Sequence, residues 1–201
     1  IIMNRFYKYG IGEFFISVNE KANIIKAYLN DAEGGYDIKY LDEKEPLGTV
    51  GVLYDFSSHK GNPFFVINCD ALIDCNFYEI LEYHNKGRFD MTIVASLKKY
   101  DVPYGVCITD DDGSLLSIDE KPSFNLIVST GMYILQPNIL KLIPEKVSFD
   151  MTDLISLARD SGKKIGVYPI SENSWHDIGE WKEYDKTIHY LGEKYESAKQ
   201  S

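Results

Sequence analysis

The sequence predicts a single α/β domain built on a mainly parallel β-sheet, and three observations carry that prediction. The run Pro63-Phe64-Phe65-Val66-Ile67 is apolar throughout, as strands buried on both faces of a parallel sheet are. Strand-like and helix-like segments alternate with short connections, the pattern of right-handed βαβ units. A length of 201 residues with 44% hydrophobic character suffices for one substantial core, and nothing in the sequence marks a second.

Taken in order, Ile2, Phe6 and Tyr9 share a helical face that ends at Gly10, so the chain begins inside a helix. A strand over Phe14 to Val18 follows, then Asn19 is placed to cap a helix with Ile24, Ile25, Tyr28 and Leu29 as its apolar stripe. Strands are expected over Asp37 to Leu41, Pro63 to Ile67 and Met91 to Leu97, with a helix over Phe77 to Gly87 between the last two. The flanks of Asp110-Asp111-Asp112-Gly113, Tyr104 to Thr109 and Leu115 to Glu120, read as a β-hairpin with Asp-Gly at its turn. Its adjacent carboxylates lack the alternate spacing and distal Glu of a calcium loop, so a solvated turn is expected. Val128 to Leu135 is a further strand, Pro137 to Leu142 a short helix, and Met151 to Ser161 a helix with a stripe of Leu154, Ile155, Leu157 and Ala158 that Gly162 ends. Ile165 to Pro169 returns to strand, Trp175 to Ile178 is a loop or short strand, and Trp181 to Leu191 is a closing helix before a polar tail, 192–201.

The formal charge of -10 and pI near 4.9 argue against a nucleic-acid surface, which needs clustered Lys and Arg. Cys69, Cys75 and Cys107 are odd in number and form no CxxC pair, which fits reduced thiols packed as small apolar side chains better than disulfides or zinc. No apolar run reaches the ~20 residues of a membrane span and none resembles a signal peptide. The expectation is a soluble cytoplasmic protein without membrane insertion.

Several short constellations could carry chemistry. Asp70 in Asn68-Cys69-Asp70 follows the apolar strand, at the carboxyl edge where open α/β sheets collect ligands, and could handle a metal or phosphate. It could equally cap the next turn or helix. Pro46-Leu47-Gly48-Thr49-Val50-Gly51 sets two glycines around a Thr, which permits close backbone approach to a ligand. It lacks the Lys and spacing of a phosphate-binding Walker sequence, so a relaxed turn is its plain reading. Asp177 in Trp175-His176-Asp177-Ile178-Gly179 is a second isolated acid, or a cap for the closing helix. In Glu120-Lys121-Pro122 the Glu could accept hydroxyl protons while the Lys meets phosphate, or the pair could be an ordinary exposed strand end.

In order along the chain, these elements together with Tyr104-Gly105-Val106 and Ser129-Thr130-Gly131-Met132-Tyr133 resemble the sugar-1-phosphate nucleotidyltransferases over residues 1–190. The Leu-Gly-Thr-x-Gly element looks most like mannose-1-phosphate guanylyltransferases and their heptose- or amino-sugar-specific relatives. The resemblance implies a Rossmann-like three-layer α/β/α nucleotide-diphosphosugar transferase fold on a mixed, mainly parallel sheet, with residues 1–191 as the transferase domain. It implies that Asp70 and Asp177 hold Mg2+ between nucleotide and sugar phosphate, and that Leu47, Gly48 and Thr49 recognise the base. Gly105, Glu120, Thr130 and Gly131 would bind the sugar, and Lys121 its phosphate. The implied substrates are GTP and a sugar 1-phosphate, the products a nucleoside diphosphate sugar and pyrophosphate, with a homo-oligomer left open. The family's opening strand, its Gly-x-Gly-x-Arg-Leu loop and a Pro-Lys-Pro turn precede the helix at which this sequence starts, so the first βα unit is missing from residues 1–201. The alternatives are a catalytically inactive sugar-nucleotide-binding regulatory module and a glycosyltransferase, the latter weakened by the lack of an Asp-x-Asp element. A hydrolase fits least, because His59, His84, His176 and His189 are scattered without a Gly-x-Ser-x-Gly motif; His84 reads as a packing residue.

Overall fold

A computed structural model describes residues 1–31, 35–56 and 61–179. The predicted closing helix Trp181 to Leu191 and the tail 192–201 lie outside the described residues. The helices are α1 (Ile2–Lys8), α2 (Ala22–Asn30), α3 (Phe77–Gly87) and α4 (Met151–Asp160). The strands are β1 (Glu13–Val18), β2 (Asp37–Asp42), β3 (Phe64–Ile67), β4 (Ala71–Ile73), β5 (Met91–Asp101), β6 (Gly105–Thr109), β7 (Leu115–Glu120), β8 (Ser123–Leu135), β9 (Ile165–Ile170) and β10 (Trp175–Asp177).

The central sheet has the order β3-β8-β5-β9. Strand β8 runs antiparallel to both β3 and β5, and β9 runs parallel to β5. Three of its four strands therefore point one way and β8 alone reverses, so the sheet is mixed and mainly parallel in direction. Strands β1 and β2 form a separate parallel pair, and the predicted hairpin is β6 with β7. Its turn closes as an Asx turn, Asp110 Oδ1 accepting from the Asp112 and Ser114 amides.

Alternation along the central strands builds a core on each face of the sheet, the period-2 consequence of the pleat. Leu135 of β8 and Met91 of β5 meet Leu154 and Ala158 of α4 on one side. Met132 and Ile134 of β8 and Val94 of β5 meet Phe6 of α1 and Phe77 and Ile80 of α3 on the other. The result is the expected α/β/α layering, each fully buried Leu or Ile contributing roughly 2 kcal/mol of hydrophobic stabilisation.

Some local expectations change. Strand β3 is half-buried along its length rather than buried on both faces, because among the described residues it pairs only with β8 and has one uncovered edge. Asn19 does not cap α2: the cap position is Lys21, held at φ 57°, and the Asn19 contribution is its carbonyl, which accepts the Ala22 N–H. Cys69 and Cys107 are exposed instead of packed, one in a turn and the other in the thin hairpin, while Cys75 is partly buried. Strands β5 and β8 run well beyond their apolar stretches, and the added halves are largely exposed. Those residues are ordered by pairing with each other rather than by burial, which hydrophobic pattern alone does not reveal. Among the described residues, no helix is long and apolar enough to cross a membrane.

Candidate functional site

After β3 the chain turns at Asn68-Cys69-Asp70 and enters β4, a three-residue strand that is wholly buried. Asp70 thus precedes a strand and not a helix, and its backbone carbonyl accepts the Ile178 N–H at 2.9 Å. Strand β4 pairs antiparallel with β10, Ala71 opposite Asp177 and Ile73 opposite Trp175. That ladder places the two candidate acids at one end of the same short ribbon. Their carboxylates converge on Gly179: a Cβ there would lie 3.0 Å from Asp70 Oδ2 and 3.2 Å from Asp177 Oδ1. Asp177 Oδ1 also accepts the Gly179 N–H at 2.9 Å, which fixes one carboxylate. The alternative of Asp177 capping the closing helix falls on residues outside those described.

The same turn touches the bulge of β8. Register between β5 and β8 slips after Val94, so Thr130 and Gly131 are the extra residues. Gly131 has φ +79°, and a Cβ on it would sit 2.9 Å from the Asn68 side-chain nitrogen. The Asn68 amide donates to the Gly131 carbonyl at 2.9 Å. Thr130 is buried, and its hydroxyl donates to the Val94 carbonyl at 2.8 Å. Its side chain therefore anchors the bulge, and Gly131 and Asn68 form the surface next to the carboxylates. Trp175 of β10 carries the Lys98 ammonium 5.2 Å from its ring centre, a cation–π contact that places a positive charge against the same ribbon.

A second cluster surrounds residues 47–51. Gly48 has φ +73°, and a Cβ there would lie 2.7 Å from the Phe149 carbonyl oxygen, so only glycine fits. The Phe149 N–H donates to the Leu47 carbonyl at 2.9 Å and the Val50 N–H to the Phe149 carbonyl at 3.1 Å. The Leu47 N–H reaches the Glu43 carboxylate at 3.0 Å. Thr49 Oγ1 accepts from the Met151 amide at 2.8 Å, at the first turn of α4, and its own N–H donates to Asp150 Oδ1 at 2.9 Å. The Thr49 hydroxyl is thus engaged by the protein itself.

The third cluster lies on the hairpin. Gly105 faces Glu120 across β6 and β7, and its missing side chain leaves room for Glu120 Oε2, 3.0 Å from where a Cβ would be. Lys121 adopts φ +50° as its N–H bonds the Tyr104 carbonyl. Its ammonium stands 4.0 Å from Glu120, both side chains largely exposed, a pairing worth little in stability. Among the described residues, no hydrogen bond or ion pair joins Leu47, Gly48, Thr49, Gly105, Glu120 or Lys121 to the carboxylate pair.

Sequence reasoning missed Asn68, Gly179 and Asp150. Gly179 ends the Trp175-His176-Asp177-Ile178-Gly179 run yet gains meaning only once Asp70 folds over it. Asp150 meets Thr49 across 101 positions, and no local pattern announces that. Of the thiols, burial pushes Cys75 up to about 12, which leaves it protonated and poorly nucleophilic at neutral pH. His84 is fully buried, Nδ1 2.8 Å from the Thr92 hydroxyl and Nε2 3.2 Å from the Gln136 side-chain nitrogen; it is the packing residue its position predicts.

The sequence pattern of the nucleotidyl transferase family matches residues 1–193. The chain is 31% identical over 186 residues to the mannose-1-phosphate guanylyltransferase catalytic subunit beta of Dictyostelium discoideum, covering 88% of this chain and 51% of that protein. It is 29% identical to a UTP--glucose-1-phosphate uridylyltransferase of Synechocystis, covering 90% and 52%. The crystal structure of HddC from Yersinia pseudotuberculosis superposes with a TM-score of 0.70 at 23% identity, over 94% of this chain and 83% of that one; a second structure of HddC is complexed with GMP-PN. The chain spans about half the length of the curated relatives it matches. It belongs to the nucleotidyl transferase family.

Proposed function

From that membership, we propose that the protein carrying this chain transfers a nucleoside monophosphate, GMP from GTP, to a sugar 1-phosphate and releases pyrophosphate. The observation that carries this reading is the convergence of Asp70 and Asp177 on Gly179, where any side chain would crowd both carboxylates. Two carboxylate oxygens facing one gap are the hard donors that magnesium prefers, and a glycine where any side chain would fill the gap fits such an ion. Asp70 and Asp177 would hold Mg2+, which supplies charge neutralisation at the reacting phosphates.

In the reaction a sugar-phosphate oxygen attacks the α-phosphorus in line, the bond to the bridging oxygen of the β-phosphate breaks, and pyrophosphate departs with its electron pair. No protein nucleophile is required. The residues bind and orient: Glu120, an acceptor-only carboxylate, takes sugar hydroxyls beside Gly105, and Lys121 offers charge to the sugar phosphate. Gly131 lets the sugar ring approach the backbone next to Asn68, with Thr130 holding the bulge from beneath. Leu47, Gly48 and Thr49 form the turn that meets the base, its Leu47 and Thr49 backbone groups held by Glu43, Phe149 and Asp150. Guanine is favoured by the resemblance of the Leu-Gly-Thr element and by the guanylyltransferases among the relatives; a uridylyltransferase among them keeps the base the finer part of the proposal. Three free thiols accord with a cytoplasmic location.

The test is pyrophosphate release by the protein with its native termini, with GTP or UTP, a panel of sugar 1-phosphates and Mg2+. Synthesis that requires both Asp70 and Asp177 supports the proposal. Binding of a GDP-sugar without any turnover would replace it with the inactive regulatory module.

A further inference from the structure

We propose that Asp150 is a positioning residue for the nucleotide, setting the geometry of the 47–51 turn from across the domain. This rests on the reading of that turn as the base-recognition element. Asp150 is the N-cap residue of α4, a position where a carboxylate ordinarily accepts from its own helix. In the structure it keeps that role in a capping box with Asp153, and its Oδ1 also reaches the other segment, accepting from the Thr49 N–H at 2.9 Å and the Thr49 hydroxyl at 3.3 Å. Thr49 returns the contact by accepting the first amide of α4. The two chain segments cap each other, and the carboxylate of Asp153 takes the Asp150 N–H at 3.4 Å to complete the junction.

The rest of the turn leans on the same strip. Gly48 and Gly51 pass so near the carbonyls of Phe149 and Val147 that a Cβ on either would lie 2.7 Å from oxygen. Val50 between them is fully buried against Leu154 and Ala158 of α4. The turn thus has one face locked in the core and one backbone strip zipped to 147–151, with Asp150 Oδ1 as the only side-chain acceptor for its Thr49 amide among the described residues. A base held by backbone groups is read accurately only if those groups are already in place, because each freed torsion must be ordered again on binding. Removing Asp150 Oδ1 leaves the Thr49 N–H without its acceptor and the hydroxyl held by the Met151 amide alone, and should loosen base recognition while the sugar cluster is untouched.

The experiment measures KM and kcat for GTP, UTP and sugar 1-phosphate in the protein with its native termini, for Asp150→Ala, Asp150→Asn, Thr49→Val and Gly48→Ala, beside thermal unfolding. Asp150→Ala is expected to raise KM for GTP about tenfold, the scale of losing a hydrogen bond to a charged group, and to shrink the preference between GTP and UTP. KM for the sugar phosphate should stay within about twofold. Asp150→Asn keeps an oxygen acceptor and should recover most of the lost nucleotide affinity, and Thr49→Val should resemble Asp150→Ala. If Gly48→Ala impairs nucleotide binding but Asp150→Ala changes neither KM for GTP nor the base preference, the positioning role is overturned while the turn remains the base element. If neither variant affects nucleotide binding although both fold, the turn is not the base element and the inference fails with it. A loss in Asp150→Ala that is equal for GTP, UTP and sugar phosphate would mark a merely structural cap and also overturn the role.

Discussion

The carboxylate corner and the β6–β7 hairpin are built in opposite ways. Asp70 and Asp177 hang from a buried three-residue strand and its partner, flanked by a bulge whose hydroxyl anchor is internal. Glu120 and Lys121 end a two-stranded ribbon in which β7 is exposed along its whole length. A buried ladder fixes side chains where sub-ångström placement governs rate, and a thin ribbon suits recognition of a ligand that brings its own hydroxyls. Changes at the corner should therefore fall on turnover, and changes on the ribbon on sugar affinity.

The sharpest way to break that contrast is Asp70→Asn. Turnover should fall about a hundredfold or more, the scale of removing one preorganised electrostatic partner, while the melting temperature stays level or rises because a like charge facing Asp177 is relieved. Near-normal kcat with saturating magnesium would remove Asp70 from the site. Gly131→Ala comes next: alanine at φ +79° costs about 1 to 2 kcal/mol, and its Cβ must also displace the Asn68 amide. Lower stability in chemical unfolding together with reduced turnover is expected; unchanged turnover would show that the bulge and the corner are independent.

On the ribbon, Glu120→Gln should raise KM for the sugar phosphate about tenfold by weakening charge-assisted hydrogen bonds. KM for GTP and the melting temperature should not move, and equal losses for both substrates in calorimetry would contradict the division. The smallest effect belongs to the core, where His84 sits between Thr92 and Gln136. Burial holds the His84 imidazole below its ordinary value near 6.5, with the Asp90 carboxylate opposing. The unfolded chain then takes up the proton first, so this contribution is complete above about pH 6.5 and is lost as pH falls toward the folded-state value, by at most about 1.4 kcal/mol per pH unit. Thermal unfolding between pH 7.5 and 5.5 should show that slope, and His84→Gln should flatten it.

By itself the sequence determined the α/β layering, the hairpin turning at Asp110 to Gly113, α3, α4 and the start of β2, because periodicity and turn chemistry are local and each is decided by neighbours a few residues away. It also marked Asp70, Asp177 and Gly131 as residues of interest. Tertiary structure alone decided that β8 runs against its neighbours, that β4 exists as a buried three-residue strand, that Thr49 turns inward to Asp150, and that both acids close over Gly179. The physical reason is range: those outcomes depend on backbone partners far along the chain, and a free N–H or C=O carries no mark of which distant group will satisfy it. Three residues such as Ala71-Leu72-Ile73 are too few to show a period, so only pairing with β10 made them a strand and brought Asp70 to Asp177.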